Sequence, residues 1–194
     1  MNITRQISKF NFSEGNNVQY IVIHDTGNTT DSAKANANYF QVDRKASAHY
    51  FVDDNSIFQV VEETNGAWHC GDGSGKYGIN NKNSIGIEMC RANNTVTATT
   101  EANTIELVKS LMKKYNVPAE RVVRHYDASR KNCPSSFSAN NWDRWNKLKA
   151  KLVELPQANR IFRVQVGAFG QEDNAKAMLE KLKQAGFDGI ITRA

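Results

Sequence analysis

The 194 residues, 40% hydrophobic and 23% charged, are enough for one full-sized domain with a small appendage and lie far from the composition of a disordered chain. Lys and Arg outnumber Asp and Glu by 25 to 20; the resulting net charge of +5 suits an anionic partner, but no dense basic run with interleaved aromatics marks a nucleic-acid binder. Three cysteines at irregular spacing argue against a disulfide framework, and no run approaches the roughly 18 apolar residues of a membrane span.

The amino-terminal "MNITRQISKFNF" has no signal-peptide core, so the expectation is a protein synthesised in the cytoplasm and not inserted in a membrane. "YIVIHDTGN" (20–28) is an apolar, β-branched run ended by a polar cluster, which predicts a buried strand with His24 at its carboxyl end. "DSAKANANYFQV" (31–42) has the spacing of a helix, and "SAHYFVDDNSIFQVVEE" (47–63) reads as a hairpin turning at Asp53, Asp54 and Asn55. "NSIGIEMC" (83–90) alternates: Ile85, Ile87 and Met89 share one face, and Ser84, Gly86, Glu88 and Cys90 the other. That places one acid among small residues, as on the floor of a cleft. "TTEANTIELVKSLMKKYNVP" (99–118) predicts a helix with Ile105, Val108, Leu111, Met112 and Tyr115 inward, closed before Pro118. "RVVRHYDAS" (121–129) predicts a strand running into a polar loop, and Trp142, Trp145, Leu148, Leu152 and Leu155 mark a closing amphipathic helix.

After Pro156 the pattern restarts. "RIFRVQVGAF" (160–169) and "GFDGIITRA" (186–194) read as strands around a helix at 172–186 striped by Ala175, Met178, Leu179 and Leu182 and capped at Gly186. The predicted organisation is a domain over 1–153, a linker over 154–159 and a β-α-β element over 160–194, too small to bury a core alone.

Zinc enzymes commonly use three ligands drawn from His, Cys and carboxylate and leave a fourth position open. His24, His125 and Cys133 can supply that set, His125 and Cys133 lying in "RHYDASRKNCPS" (124–135). A bound zinc would bring the pKa of a water toward about 7 and polarise a carbonyl. Glu88 then suits a general base and Lys131 an oxyanion stabiliser. Taken singly, a histidine at a strand end and a lone cysteine read more readily as structural residues than as ligands. His49 reads as structural, Cys70 and Cys90 as inert, and His69, in the Gly-rich "AWHCGDG", as either ligand-facing or buried.

Together, "YIVIHDTGN", "SAHYFVD", "NSIGIEM" and "RHYDASRKNCP", in this order over about residues 1–153, resemble the zinc-dependent N-acetylmuramoyl-L-alanine amidases of type 2, a group that includes phage endolysins and shares the fold of peptidoglycan recognition proteins. The resemblance implies an α/β fold with a central mixed β-sheet flanked by helices. It implies one Zn²⁺ held by His24, His125 and Cys133, with Glu88 as catalytic acid/base and Lys131 near the scissile carbonyl. Thr26 and His69 are candidate substrate-binding residues. Some members have Asp at the third ligand position or Tyr before the second-motif histidine; here those positions are Cys133 and Ala48, which leaves the tyrosine's role to Glu88. The implied partner is bacterial peptidoglycan, cut between N-acetylmuramic acid and L-alanine after the protein has left the cell of a phage or prophage host. A non-catalytic peptidoglycan receptor on the same fold is the alternative, which loss of the cysteine ligand would mark. "FRVQVGAF" with "NAKAMLEKLKQAGF" resembles the first half of a SPOR domain, a ferredoxin-like peptidoglycan-binding module. Half a module implies either a longer parent protein or a homodimer through residues 160–194.

Overall fold

The structure is a computed structural model that describes residues 2–153 and 164–192. The chain divides into two compact units, Met1–Glu154 and Leu155–Ala194. The expected linker at 154–159 and Leu155 lie outside the described residues.

In the first unit, six strands form a mixed sheet in the order β1 (Ile3–Arg5), β5 (Ile57–Gln59), β4 (Tyr50–Val52), β7 (Ser84–Met89), β3 (Tyr20–Asp25), β8 (Val122–Arg124). Only β4 and β5 pair antiparallel, as the expected hairpin, while β1 with β5, and β4, β7, β3 and β8 in sequence, run parallel. A second, two-stranded ribbon joins β2 (Phe12–Ser13) to β6 (Gly66–Ala67). Such short, polar or glycine-containing strands carry no alternation, and the sequence pattern does not mark them.

The pleat of β3 and β7 sends alternate residues to opposite faces. Ile21, Ile23, Ile85, Ile87 and Met89 enter the main core with Leu107, Val108 and Leu111 of α2 (Ala98–Tyr115) and Trp145, Leu148 and Leu152 of α4 (Ala139–Val153). Each fully buried Ile or Leu contributes about 1.5–3 kcal/mol here. α2 starts where Thr97 accepts a hydrogen bond from the Thr100 N–H, and it stops at Asn116, whose left-handed backbone (φ 52°) donates back to Met112.

On the opposite face, α1 (Ala33–Tyr39) packs Ala33 and Ala37 against Phe51, Phe58 and Cys90. Val22 packs with Cys70, Ile79 and Ala128, the last from α3 (His125–Ser129). α3 replaces the polar loop expected after β8: Asp127 accepts from the Arg124 N–H and guanidinium, which caps a helix where the sequence suggested irregular chain. No helix among the described residues is long and apolar enough to cross a membrane.

In the second unit, α5 (Glu172–Gln184) forms as expected, and Gly186 takes a left-handed conformation (φ 85°) just past its end. The described flanks, 164–169 and 187–192, carry no strand ladder, although the sequence alternates there. A strand needs a hydrogen-bonded neighbour, and one β-α-β unit offers few. Val164, Phe187 and Ile190 are exposed.

Candidate metal centre and active site

The site lies at the carboxyl ends of the parallel strands, where open α/β sheets form their clefts. His24 is the penultimate residue of β3, and the β3/β7 register sets it directly beside Glu88. β8 ends at Arg124, opposite Ile23, so the next residue, His125, opens α3 next to His24; their ring centroids are 4.6 Å apart. The chain then loops back to Cys133, whose Sγ lies 3.8 Å from His24 Nδ1. One donor atom from each of His24, His125 and Cys133 lies within 4.8 Å of the others, and all three residues are buried.

Asp25, the last residue of β3, fixes the loop that carries Cys133. Its carboxylate accepts from the Ser136 N–H (2.8 Å) and pairs with Arg91 (2.7 Å), both partners almost wholly buried. Burial raises the Cys133 thiol pKa well above the usual thiol range, with the Glu88 and Asp25 carboxylates adding to the effect. Burial also lowers the pKa of His24 and of His125, keeping both rings neutral with a lone pair to offer. Two neutral imidazoles beside a buried thiol are a donor set suited to a divalent metal, whose charge favours the thiolate.

Both imidazoles are held from behind by one segment, His69-Cys70-Gly71-Asp72. His24 Nε2 lies 3.0 Å from His69 Nδ1, His69 Nε2 lies 3.2 Å from Ser84 Oγ, and Ser84 Oγ donates to the Asn80 carbonyl at 2.6 Å. His125 Nε2 lies 2.7 Å from Asp72 Oδ1. His69, a candidate for substrate binding, borders the cleft, is 9% exposed and has both ring nitrogens facing protein partners. Asp72 and Ser84 were not singled out in the sequence, where nothing but their polarity sets them apart.

Glu88 faces a cleft of about 310 Å³ whose lining includes Thr26, Phe40, Trp68, Lys131 and Cys133. Its Oε1 is 3.9 Å from His24 Nδ1, and its Oε2 is buried without a hydrogen-bond partner among the described residues. Burial raises its pKa to about 8; Asp25 adds to the rise and Lys131 opposes it. A carboxyl poised this way can both take and return a proton near neutrality. Lys131 is exposed on the lining, and Thr26 brings a buried hydroxyl without a partner among the described residues. His49 is structural, as expected: its Nδ1 accepts from the Gly86 N–H and its Nε2 meets the Asn65 carbonyl. Cys70 and Cys90 are buried free thiols.

A family profile described as N-acetylmuramoyl-L-alanine amidase matches residues 14–136, and a SPOR domain profile matches residues 158–194. The chain is 37% identical over 136 residues to N-acetylmuramoyl-L-alanine amidase XlyA of Bacillus subtilis, a match covering 69% of this chain and 43% of that protein. It is 36% identical over 130 residues to N-acetylmuramoyl-L-alanine amidase CwlH of the same species, covering 66% of this chain and 50% of that one. The chain thus spans half or less of the length of these relatives. Among solved structures, that of PlyL superposes with a TM-score of 0.71 at 29% identity, covering 78% of this chain and 97% of that one.

Proposed function

Since the chain belongs to the N-acetylmuramoyl-L-alanine amidase family, we propose that it hydrolyses the amide between the lactyl group of N-acetylmuramic acid and the L-alanine of the stem peptide in bacterial peptidoglycan, using one zinc ion. The observation that carries this reading is the convergence of His24, His125 and Cys133, from three separate segments, beside a Glu88 carboxyl that has no protein partner for Oε2. These three side chains would hold the metal. Bound zinc supplies Lewis acidity toward a carbonyl and a water.

The chain's own residues do the rest. Glu88 takes a proton from the attacking water as its oxygen bonds to the carbonyl carbon, then delivers that proton to the stem-peptide nitrogen as the C–N bond breaks. Lys131 faces the negative charge that grows on the carbonyl oxygen. Thr26 offers a hydroxyl to the substrate, and the Phe40 and Trp68 side chains line the cleft. The presence of Cys133, Glu88 and Lys131 in one site weighs against a non-catalytic receptor.

On this reading the second unit, which matches the SPOR domain profile, would bind the wall, and the protein would act on the wall after release from the cell, as an endolysin acts. Pairing of two copies through residues 160–194 would cover the exposed Val164, Phe187 and Ile190; sedimentation across a concentration series that finds monomer throughout would end that part of the proposal. The activity is tested on purified wall. New amino groups identified as N-terminal L-alanine, with no new reducing sugar ends, are expected; reducing ends without alanine would contradict the assignment.

A further inference from the structure

Resting on the zinc reading above, we infer that the segment His69-Cys70-Gly71-Asp72 is a positioning clamp, which sets the tautomer and orientation of both histidine ligands from behind. His24 turns Nδ1 toward Cys133 and Glu88, so its Nε2 carries the hydrogen and donates it to His69 Nδ1. His69 must then be protonated on Nε2, which points at Ser84 Oγ, and Ser84 in turn donates to the Asn80 carbonyl. Every member of the chain has one consistent direction, and it ends on a backbone acceptor. His125 is served in parallel, its Nε2–H donating to Asp72 and leaving Nδ1 for a metal. Two candidate ligands from two elements thus each donate a ring N–H to residues three apart in one segment.

The segment is pinned without help from a metal. The His69 and Cys70 N–H groups both donate to Asn81 Oδ1, at 3.1 and 2.9 Å, and the Cys70 side chain is buried against Val22, Ile79 and Ala128. Two glycines make the approach possible. A Cβ on Gly86 would lie 2.5 Å from the His69 ring, and one on Gly73 would lie 2.1 Å from the Ala128 carbonyl oxygen of α3, the helix that His125 opens. The glycine of "SIGIE" therefore leaves room for an imidazole under the catalytic strand. Gly73 lets the Asp72 turn sit against the ligand-bearing helix.

Hydrogen-bond partners of metal-ligating histidines typically hold about 10–100-fold of metal affinity. The test measures the zinc dissociation constant of the full chain by competition with a chelator, alongside thermal unfolding of the metal-free protein. Asp72→Ala, at a half-exposed side chain, is expected to weaken zinc binding by about 10–100-fold while the metal-free melting temperature stays put. His69→Leu is expected to weaken it by a similar factor, and His69→Asn, which returns an acceptor near the Nδ1 position, to recover part of the loss despite its smaller volume. A purely structural role predicts the reverse order, with Leu, the better filler, binding zinc more tightly. Wild-type affinity in Asp72→Ala, or Asn no better than Leu at position 69, would overturn the clamp. Should His69→Leu fail to fold, Asp72→Ala decides. No zinc binding by the wild-type chain would instead sink the metal reading on which the clamp rests, and the two failures are distinct.

Discussion

Glu88 and Cys133 share one site but answer to different physics. Glu88 lies beside His24 across a strand pair, keeps about a fifth of its side-chain surface open, and has its pKa raised by burial to about 8. Glu88→Gln keeps the shape and removes the proton carrier, so it should retain zinc and lose about 10²–10⁴-fold in turnover. Cys133→Ala removes a donor and should lose both metal and activity. Elemental analysis beside an amino-group release assay separates the two, and metal loss in Glu88→Gln would show that Glu88 is a ligand instead of a base. At this scale the sequence was informative in proportion to local pattern. The strand alternation of "NSIGIEMC" exposes Glu88 as a lone acid, and order along the chain links His24 to "RHYDASRKNCP". His69 and Asp72 could not be placed the same way, because their partners lie 45 and 53 positions away and no periodicity encodes that approach.

The elements that carry the three candidate ligands are held together by Asp25. One carboxylate at the end of β3 joins Arg91, just past β7, to the backbone of the loop after α3. Asp25→Ala leaves Arg91 buried without its partner, which costs about 3–5 kcal/mol. The expected result is a lower denaturation midpoint together with weaker zinc binding, since the loop bearing Cys133 loses its anchor; an unchanged midpoint would mean that the pair contributes nothing net. The long elements were legible because they repeat their pattern: α2, and α4 beyond the left-handed Asn140, Asn141 and Trp142, each show a stripe that matches the core they enter. α3 was not, since five residues are too few for a helical period to register and its start depends on the Arg124–Asp127 contacts. The flanks of α5 mislead in the opposite sense, alternating as strands without a ladder among the described residues.

At the scale of the whole molecule, all four histidines of the chain are buried, and burial lowers the pKa of every one, His49 to about 4. Each would titrate near 6.5 in the unfolded chain, so below that pH the unfolded state binds more protons than the native one. The stability of the metal-free protein should therefore fall as pH drops from about 6.5 toward 4, by at most about 1.4 kcal/mol per pH unit for each histidine, and with zinc bound the fall should be no shallower, because the ligands must stay unprotonated to hold the metal while the unfolded chain takes up their protons. Urea midpoints between pH 7.5 and 5, with and without zinc, check this; a midpoint indifferent to pH in the metal-free chain would contradict the neutral, buried state of the four rings. The central claim, that one zinc held by His24, His125 and Cys133 drives cleavage at L-alanine, is tested most directly by stripping the protein of metal and restoring zinc in steps against purified wall. Release of N-terminal L-alanine should rise linearly and level off at one zinc per chain. Full activity in the stripped protein, or none at one equivalent of bound zinc, would contradict the account.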